Sequence, residues 1–339
     1  MTLIQPPDDS LLADARALAA AGAWRELRLR LERAPGTSAH PELVVLLAEA
    51  LLRDAEPRAA RRRLLDGWPV VERGGADLVR RAANLRGAAA FELGELAEAD
   101  AAFAGALEMA RHDGDDRLAA RATNNLAAIA NVRGARDEAL ALYQLAVAAY
   151  QRIGDSRGLA SSFHNMAITF RDLDRLETAD EYERRAIEFA RESGDDQLVA
   201  MARTGRADLS LRQGDPALAA AGARRAAQDF SALPDPVGEA DALRLLGAAC
   251  VELGRLGEAA GPLARALSLA HEHGSAVIEA EARGSLAALA AAAGDHGAAR
   301  EQGTLAMAIH ERLGATAERD ALRRWLEALG KETPGRPGG

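Results

Sequence analysis

Amides and arginines recur at fixed intervals in the first half of this chain, and their spacing points to its chemistry. Arg81 and Asn84 stand seven and ten residues after Gly74. Arg121, Asn124 and Asn131 stand seven, ten and seventeen after Gly114, and His164 and Arg171 stand ten and seventeen after Gly154. Such steps put side chains on one face of an α-helix. Asn125 and Asn165 lie one residue beside the stripe. An asparagine carries both a donor and an acceptor, so a ladder of them can bind the backbone of an extended peptide whatever its side chains. Arginines among the amides favour an acidic ligand through charge-assisted hydrogen bonds. The alternative is a merely solvated polar face, but amides cost helix propensity and offer an exposed helix little in return. The same positions near the end of the chain read Glu281, Gly284, Ala288 and Ala291. That bland stripe places the expected site in the earlier half.

Other chemistry finds little support. The chain lacks the metalloprotease, nucleophile-elbow, P-loop and dinucleotide signatures. His271 and His273 are two residues apart and point in different directions on a helix, near an end where a histidine meets the carboxyl-end dipole. Cys250 is the sole cysteine and falls in register with Ala90 and Ala130, as a core residue would. Arg58, Arg61, Arg62 and Arg63 are flanked by Asp54, Glu56 and Asp66, which reads as a solvated face rather than a site for an acidic partner. We therefore expect no catalytic residues, no metal and no cofactor. A net charge of −9 leaves no electrostatic footprint for nucleic acid or anionic lipid. No apolar run is long enough to cross a membrane, and residues 1–9 lack the pattern of a signal peptide. A cytoplasmic protein is expected. Lys331 is the only lysine, and arginine supplies every other basic residue, a usage that suggests GC-rich bacterial coding.

The elements that carry the stripe repeat every 40 residues. Gly74, Gly114, Gly154, Gly194, Gly274 and Gly314 form one lattice, with Pro234 on the missing point. A second runs Gly94, Gly134, Asp174, Gly214, Gly254 and Gly294. Two more are pure alanine, Ala99 to Ala299 and Ala106 to Ala306 in steps of 40. Fixed-period self-similarity marks a solenoid, whose units bury their apolar faces only against neighbours. Within a unit, Leu118, Ala122, Leu126, Ile129 and Ala130 trace one amphipathic helix, Gly134 ends it, and Glu138 to Ala149 form a second. Gly87, Ala127, Ala167, Ala207, Gly247 and Ala287 are small enough to let the two helices approach closely.

The stretches GDDRLAARATNNLAAIA and GDSRGLASSFHNMAITF carry a resemblance to the tetratricopeptide repeat. It is closest to the 40-residue variety of kinesin light chains, LGN-type adaptors and MalT- and Rap-like bacterial regulators. The resemblance implies an all-α, right-handed α-solenoid of antiparallel helical hairpins, and it places the amide stripe in the concave groove. Residues 74–313 make six repeats. Residues 1–73 read as two degenerate hairpins, with a separate helical domain as the alternative. Residues 314–330, with Leu322, Trp325, Leu326 and Leu329 on one face, read as a capping helix, and 331–339 as a disordered tail. The expected function is a non-enzymatic scaffold or adaptor that binds a protein or extended peptide in the groove of the first three repeats. The rival is a peptide-sensing receptor that controls a partner protein by compaction of the superhelix.

Overall fold

The computed structural model describes residues 9–331 apart from Ala55 and Pro234. The expected disordered tail therefore lies almost wholly outside the described residues. Among those residues there are seventeen α-helices and no strand. Four helices come first: α1 (Asp9–Ala20), α2 (Trp24–Arg33), α3 (Pro41–Arg53) and α4 (Pro57–Val71). Hairpins follow as α5 (Ala76–Glu92) with α6 (Leu96–Asp113), α7 (Asp116–Val132) with α8 (Arg136–Ile153), and α9 (Ser156–Asp172) with α10 (Leu176–Glu192). Three more pair α11 (Asp196–Arg212) with α12 (Pro216–Ser231), α13 (Pro236–Glu252) with α14 (Leu256–Glu272), and α15 (Ala276–Ala292) with α16 (His296–Leu313). The last helix is α17 (Thr316–Lys331). The chain forms two compact units, the first ending at Asp195 and the second beginning at Asp196. Each is an α-solenoid of antiparallel hairpins.

Local chemistry sets the helix ends. The Asp115 carboxylate accepts a hydrogen bond from the Leu118 N–H at 3.0 Å, and Asp155 accepts from Gly158 N–H at 2.9 Å, satisfying donors that a helix start leaves free. Gly114 ends α6 with φ 72°, the left-handed turn that glycine adopts without strain. Asp174, the one lattice point of its series that is not glycine, adopts φ 59°; aspartate is among the few side chains that visit this region routinely.

Every residue of both alanine lattices is buried to within 1% of complete. The small-residue lattice has the steric role its spacing suggests. A Cβ on Gly87 would stand 2.6 Å from the Phe103 ring, and one on Gly247 would stand 2.4 Å from Leu263. Gly303 stands where the earlier repeats carry Phe103 and Tyr143, and Leu326 of α17 occupies the room it leaves. Helix α4 runs past Gly67 to Val71, because Gly67 is a contact point and not a stop: a Cβ there would meet Val44 at 2.5 Å. No helix among the described residues is long and apolar enough to cross a membrane.

Candidate functional site

In the first unit α7 lies between α5 and α9. A hollow of about 310 Å³ opens across the three. Ala88 and Phe91 of α5, Ala128 of α7 and Ile168 of α9 make its apolar wall, and Phe103 and Tyr143 from α6 and α8 close the bottom. Asn124, Asn125, Asn131, Ser161 and Asn165 supply the polar groups, with Glu92 and Val132 at the end where α5 and α7 finish. Burial raises the Tyr143 phenol above its ordinary value, so it stays protonated at neutral pH. The chemistry on offer is hydrogen bonding around an apolar centre.

Four of the nine stripe residues singled out by spacing therefore meet in this hollow: Asn124, Asn125, Asn131 and Asn165. Two amides also stitch successive hairpins together. Asn125 donates from Nδ2 to Oδ1 of the buried Asn84 at 3.3 Å, and Ser162 donates from Oγ to Oδ1 of the buried Asn124 at 2.9 Å. Asn124 thus combines a structural bond with a place on the hollow. Asn131 Oδ1 is buried with no hydrogen-bond partner. The Asn165 side chain likewise makes no bond to the described residues. A buried acceptor left unpaired is costly, and Asn131 is also one of the residues that line the hollow.

The other stripe residues lie elsewhere. Arg81 donates to Glu49 of α3 at 2.9 Å. Arg121 is exposed at the start of α7 and makes no ion pair among the described residues. Arg171 bonds Asp172 at 3.1 Å. His164 is turned into its own hairpin, 8% exposed, with Nδ1 3.0 Å from the Glu183 carboxylate of α10. Burial raises the Glu183 carboxyl above its ordinary value, and the adjacent His164 opposes the rise. The three-and-seven spacing that put His164 on the stripe does not distinguish a groove-facing from a hairpin-facing residue at the stripe's edge.

Two features escape a reading by spacing. The bottom of the hollow is made by Phe103 and Tyr143, which look like core residues because each packs behind a small residue of the preceding helix; they reach the groove where the stripe carries alanine. Arg53, at the end of α3, is half-buried with its guanidinium 5.4 Å from the Trp24 ring centre. Burial first, and then the Arg157 charge, lower Arg53 to about 10, with Arg121 acting in the same sense and Glu49 and Asp195 against it. Arg121 of α7 and Arg157 of α9 thus act on Arg53 of α3 in a neighbourhood that also holds Glu49 and Asp195. Arg157 is itself held by Asp195 at 2.6 Å.

The tetratricopeptide repeat family model matches residues 118–192, the span of α7 to α10. No protein of curated function matches the sequence. Among solved structures, a Rap protein complexed with competence and sporulation factor aligns at 16% identity and TM-score 0.64, covering 96% of each chain. The apo form of the quorum sensor NprR from B. thuringiensis aligns at 14% identity and TM-score 0.54, covering 95% of this chain and 97% of that one. The APC/C hetero-tetramer Cut9–Hcn1 aligns at 15% identity and TM-score 0.64, covering 95% of this chain and 57% of that one. At these identities the likeness is one of fold. Residues 118–192 of this chain thus match the tetratricopeptide repeat, and its fold is shared with these solved structures.

Proposed function

We propose that the protein is a non-enzymatic scaffold that binds an extended segment of a partner protein, or a free peptide, across α5, α7 and α9. The observation that carries this reading is the hollow whose apolar walls are ringed by amides, Asn131 and Asn165 among them. An extended chain presents a donor and an acceptor at every residue, which an amide pair can match without regard to sequence. Affinity capture from the native host, with identification of the prey, tests the reading when repeated with Ala128→Phe. That side chain fills the hollow from α7, so the prey should be lost while the helical spectrum is kept. Prey retained at full yield by the filled variant would place the partner elsewhere.

A peptide-sensing receptor is the second reading, favoured by the fold likeness to a Rap protein complexed with competence and sporulation factor and to a quorum sensor. It calls for a change in compactness when a short peptide binds. Small-angle scattering with and without peptide separates the two, since a constitutive adaptor should keep one radius of gyration.

A further inference from the structure

The arginine cluster of α4 is not balanced by the acids that flank it in sequence. Asp54 and Glu56 both turn to Arg28 of α2, at 2.5 and 3.9 Å. Arg63 turns away and donates to the Ser38 hydroxyl at 2.7 Å. Arg58, Arg61, Arg62, Leu65 and Asp66 remain together on one face of α4, at the three- and four-residue steps that align side chains along a helix. That face and the turn between α5 and α6, with Leu93 and Glu95, line a recess of about 410 Å³, within the range of small-molecule sites. Arg61 is already held there, by Glu98 at 2.7 Å and Glu95 at 3.2 Å. Arg58 and Arg62 are exposed and make no hydrogen bond or ion pair among the described residues. They stand one turn apart on the helix, so they repel each other with no ion pair to offset the cost. Against Asp66, the remaining carboxylate of the recess, they leave a surplus of one positive charge. Leu65, on the same face, is 46% exposed.

We propose that this recess is a second ligand site, separate from the hollow, for a small organic anion of single charge. Its head is a carboxylate or a phosphodiester bound by Arg58 and Arg62, and its apolar body covers Leu65 and Leu93. The planar fork of N–H donors on each arginine suits both heads, which share a pair of oxygens and one negative charge. The surplus of one charge favours them over a phosphate monoester, whose second charge would face Asp66 and Glu95 unmatched. The apolar body takes Leu65 out of water. Arg61 leaves the head to its neighbours because Glu95 and Glu98 already answer its charge, and those pairs fix the wall of the recess.

Titration calorimetry on the purified full chain tests this with 4-phenylbutyrate, ethyl phenyl phosphate, inorganic phosphate and the neutral 4-phenylbutyramide as probes. Binding of either of the first two with a Kd of about 1 mM or tighter supports the inference, and the better of the two identifies the head. The amide has the body without the charge and inorganic phosphate has the charge without the body, so each should bind at least about tenfold more weakly. For the probe that binds, Arg58→Ala and Arg62→Ala should each weaken binding about tenfold, the usual loss for a hydrogen bond to a charged group. Both should also flatten its salt dependence. These side chains are exposed and unpaired, so the variants keep the fold. Arg63→Ala removes the same charge from the same helix but bonds Ser38 outside the recess, and it should leave the affinity unchanged. An equal loss at Arg63→Ala would reduce the effect to net charge and overturn the site. So would an amide that binds as tightly as the acid, or no binding of either organic anion. The probe should bind Ala128→Phe as it binds the parent; its loss there would put the ligand in the hollow and overturn a separate site.

Discussion

Two glycines in the same hairpin should respond to the same substitution with opposite sign. Gly87 on α5 faces Phe103 on α6, where an added Cβ would stand 2.6 Å from the ring; ordinary contact begins at 3.4 Å, so the ring must retreat by about 0.8 Å (3.4 − 2.6). Phe103 is 2% exposed and closes the bottom of the hollow, so it has little room to move. Gly105 lies on α6 with nothing within 4 Å of its added Cβ. In an unhindered helix, Gly→Ala stabilises by about 0.5–1 kcal/mol through lower unfolded-state entropy and better propensity. Overpacking a dense core costs about 1–3 kcal/mol. Gly87→Ala should therefore destabilise by about 0.5–2 kcal/mol net, and Gly105→Ala should stabilise by about 0.5–1 kcal/mol. Both sit in the first unit, so one urea titration followed by circular dichroism reads them on the same transition. Phe103→Leu should relieve much of the Gly87→Ala cost, and a double-mutant cycle measures the coupling. If the two alanines shift stability equally and in the same direction, the close approach of α5 to α6 is not what the small-residue lattice provides.

Other expectations concern the buried polar groups and the end of the chain. Asn124→Ala should lower stability by about 1 kcal/mol in thermal or urea melts, because Ser162 loses its acceptor; an unchanged melt would dissolve the stitch between α7 and α9. The Glu183 carboxyl is raised by burial, so its contribution is complete below the unfolded value near 4.5 and is lost as pH rises through the higher folded value. Glu183→Gln should accordingly gain stability over the parent across that rise, and a difference that stays constant from about pH 4 to 8 would contradict the assignment. Removing residues 315–339 takes Leu326 away from Gly303 and bares the face of α16, so light scattering should detect self-association. A truncated chain that stays monomeric and as stable as the parent would show that α17 is not a cap.

The hairpins were legible because their determinants are local and repeated. Glycine or aspartate at all but one of the lattice points that end helices, aspartate at several helix starts and alanine in two lattices leave a mark every 40 residues, and those marks survive where larger residues have eroded. The end of helix α4 is not legible in the sequence, because a glycine that serves close packing looks the same there as one that ends a helix; only Val44, 23 residues earlier, tells them apart. The site was half legible. Helical spacing gathers residues on one face, and four of the amides do meet. It cannot weigh how deeply a face sinks between its neighbours, so Asn84 and His164 read as groove residues although one bonds the next hairpin and the other bonds Glu183. The surroundings of Arg53 were hidden for a different reason. Arg53, Arg121 and Arg157 come from three helices outside any common register, and only folding brings the last two near enough to act on Arg53.

The central claim, that amides around the hollow bind a ligand backbone, is tested most directly by titration calorimetry on the double variant Asn131→Ala/Asn165→Ala with a captured partner segment. Neither side chain makes a hydrogen bond to the described residues in the free protein, so the variant should melt no lower than the parent. Its affinity should fall by about 2 kcal/mol, or about thirtyfold, as two ligand groups are left unpaired. Unchanged affinity in a variant of unchanged stability would contradict the claim and move the partner's site out of the hollow.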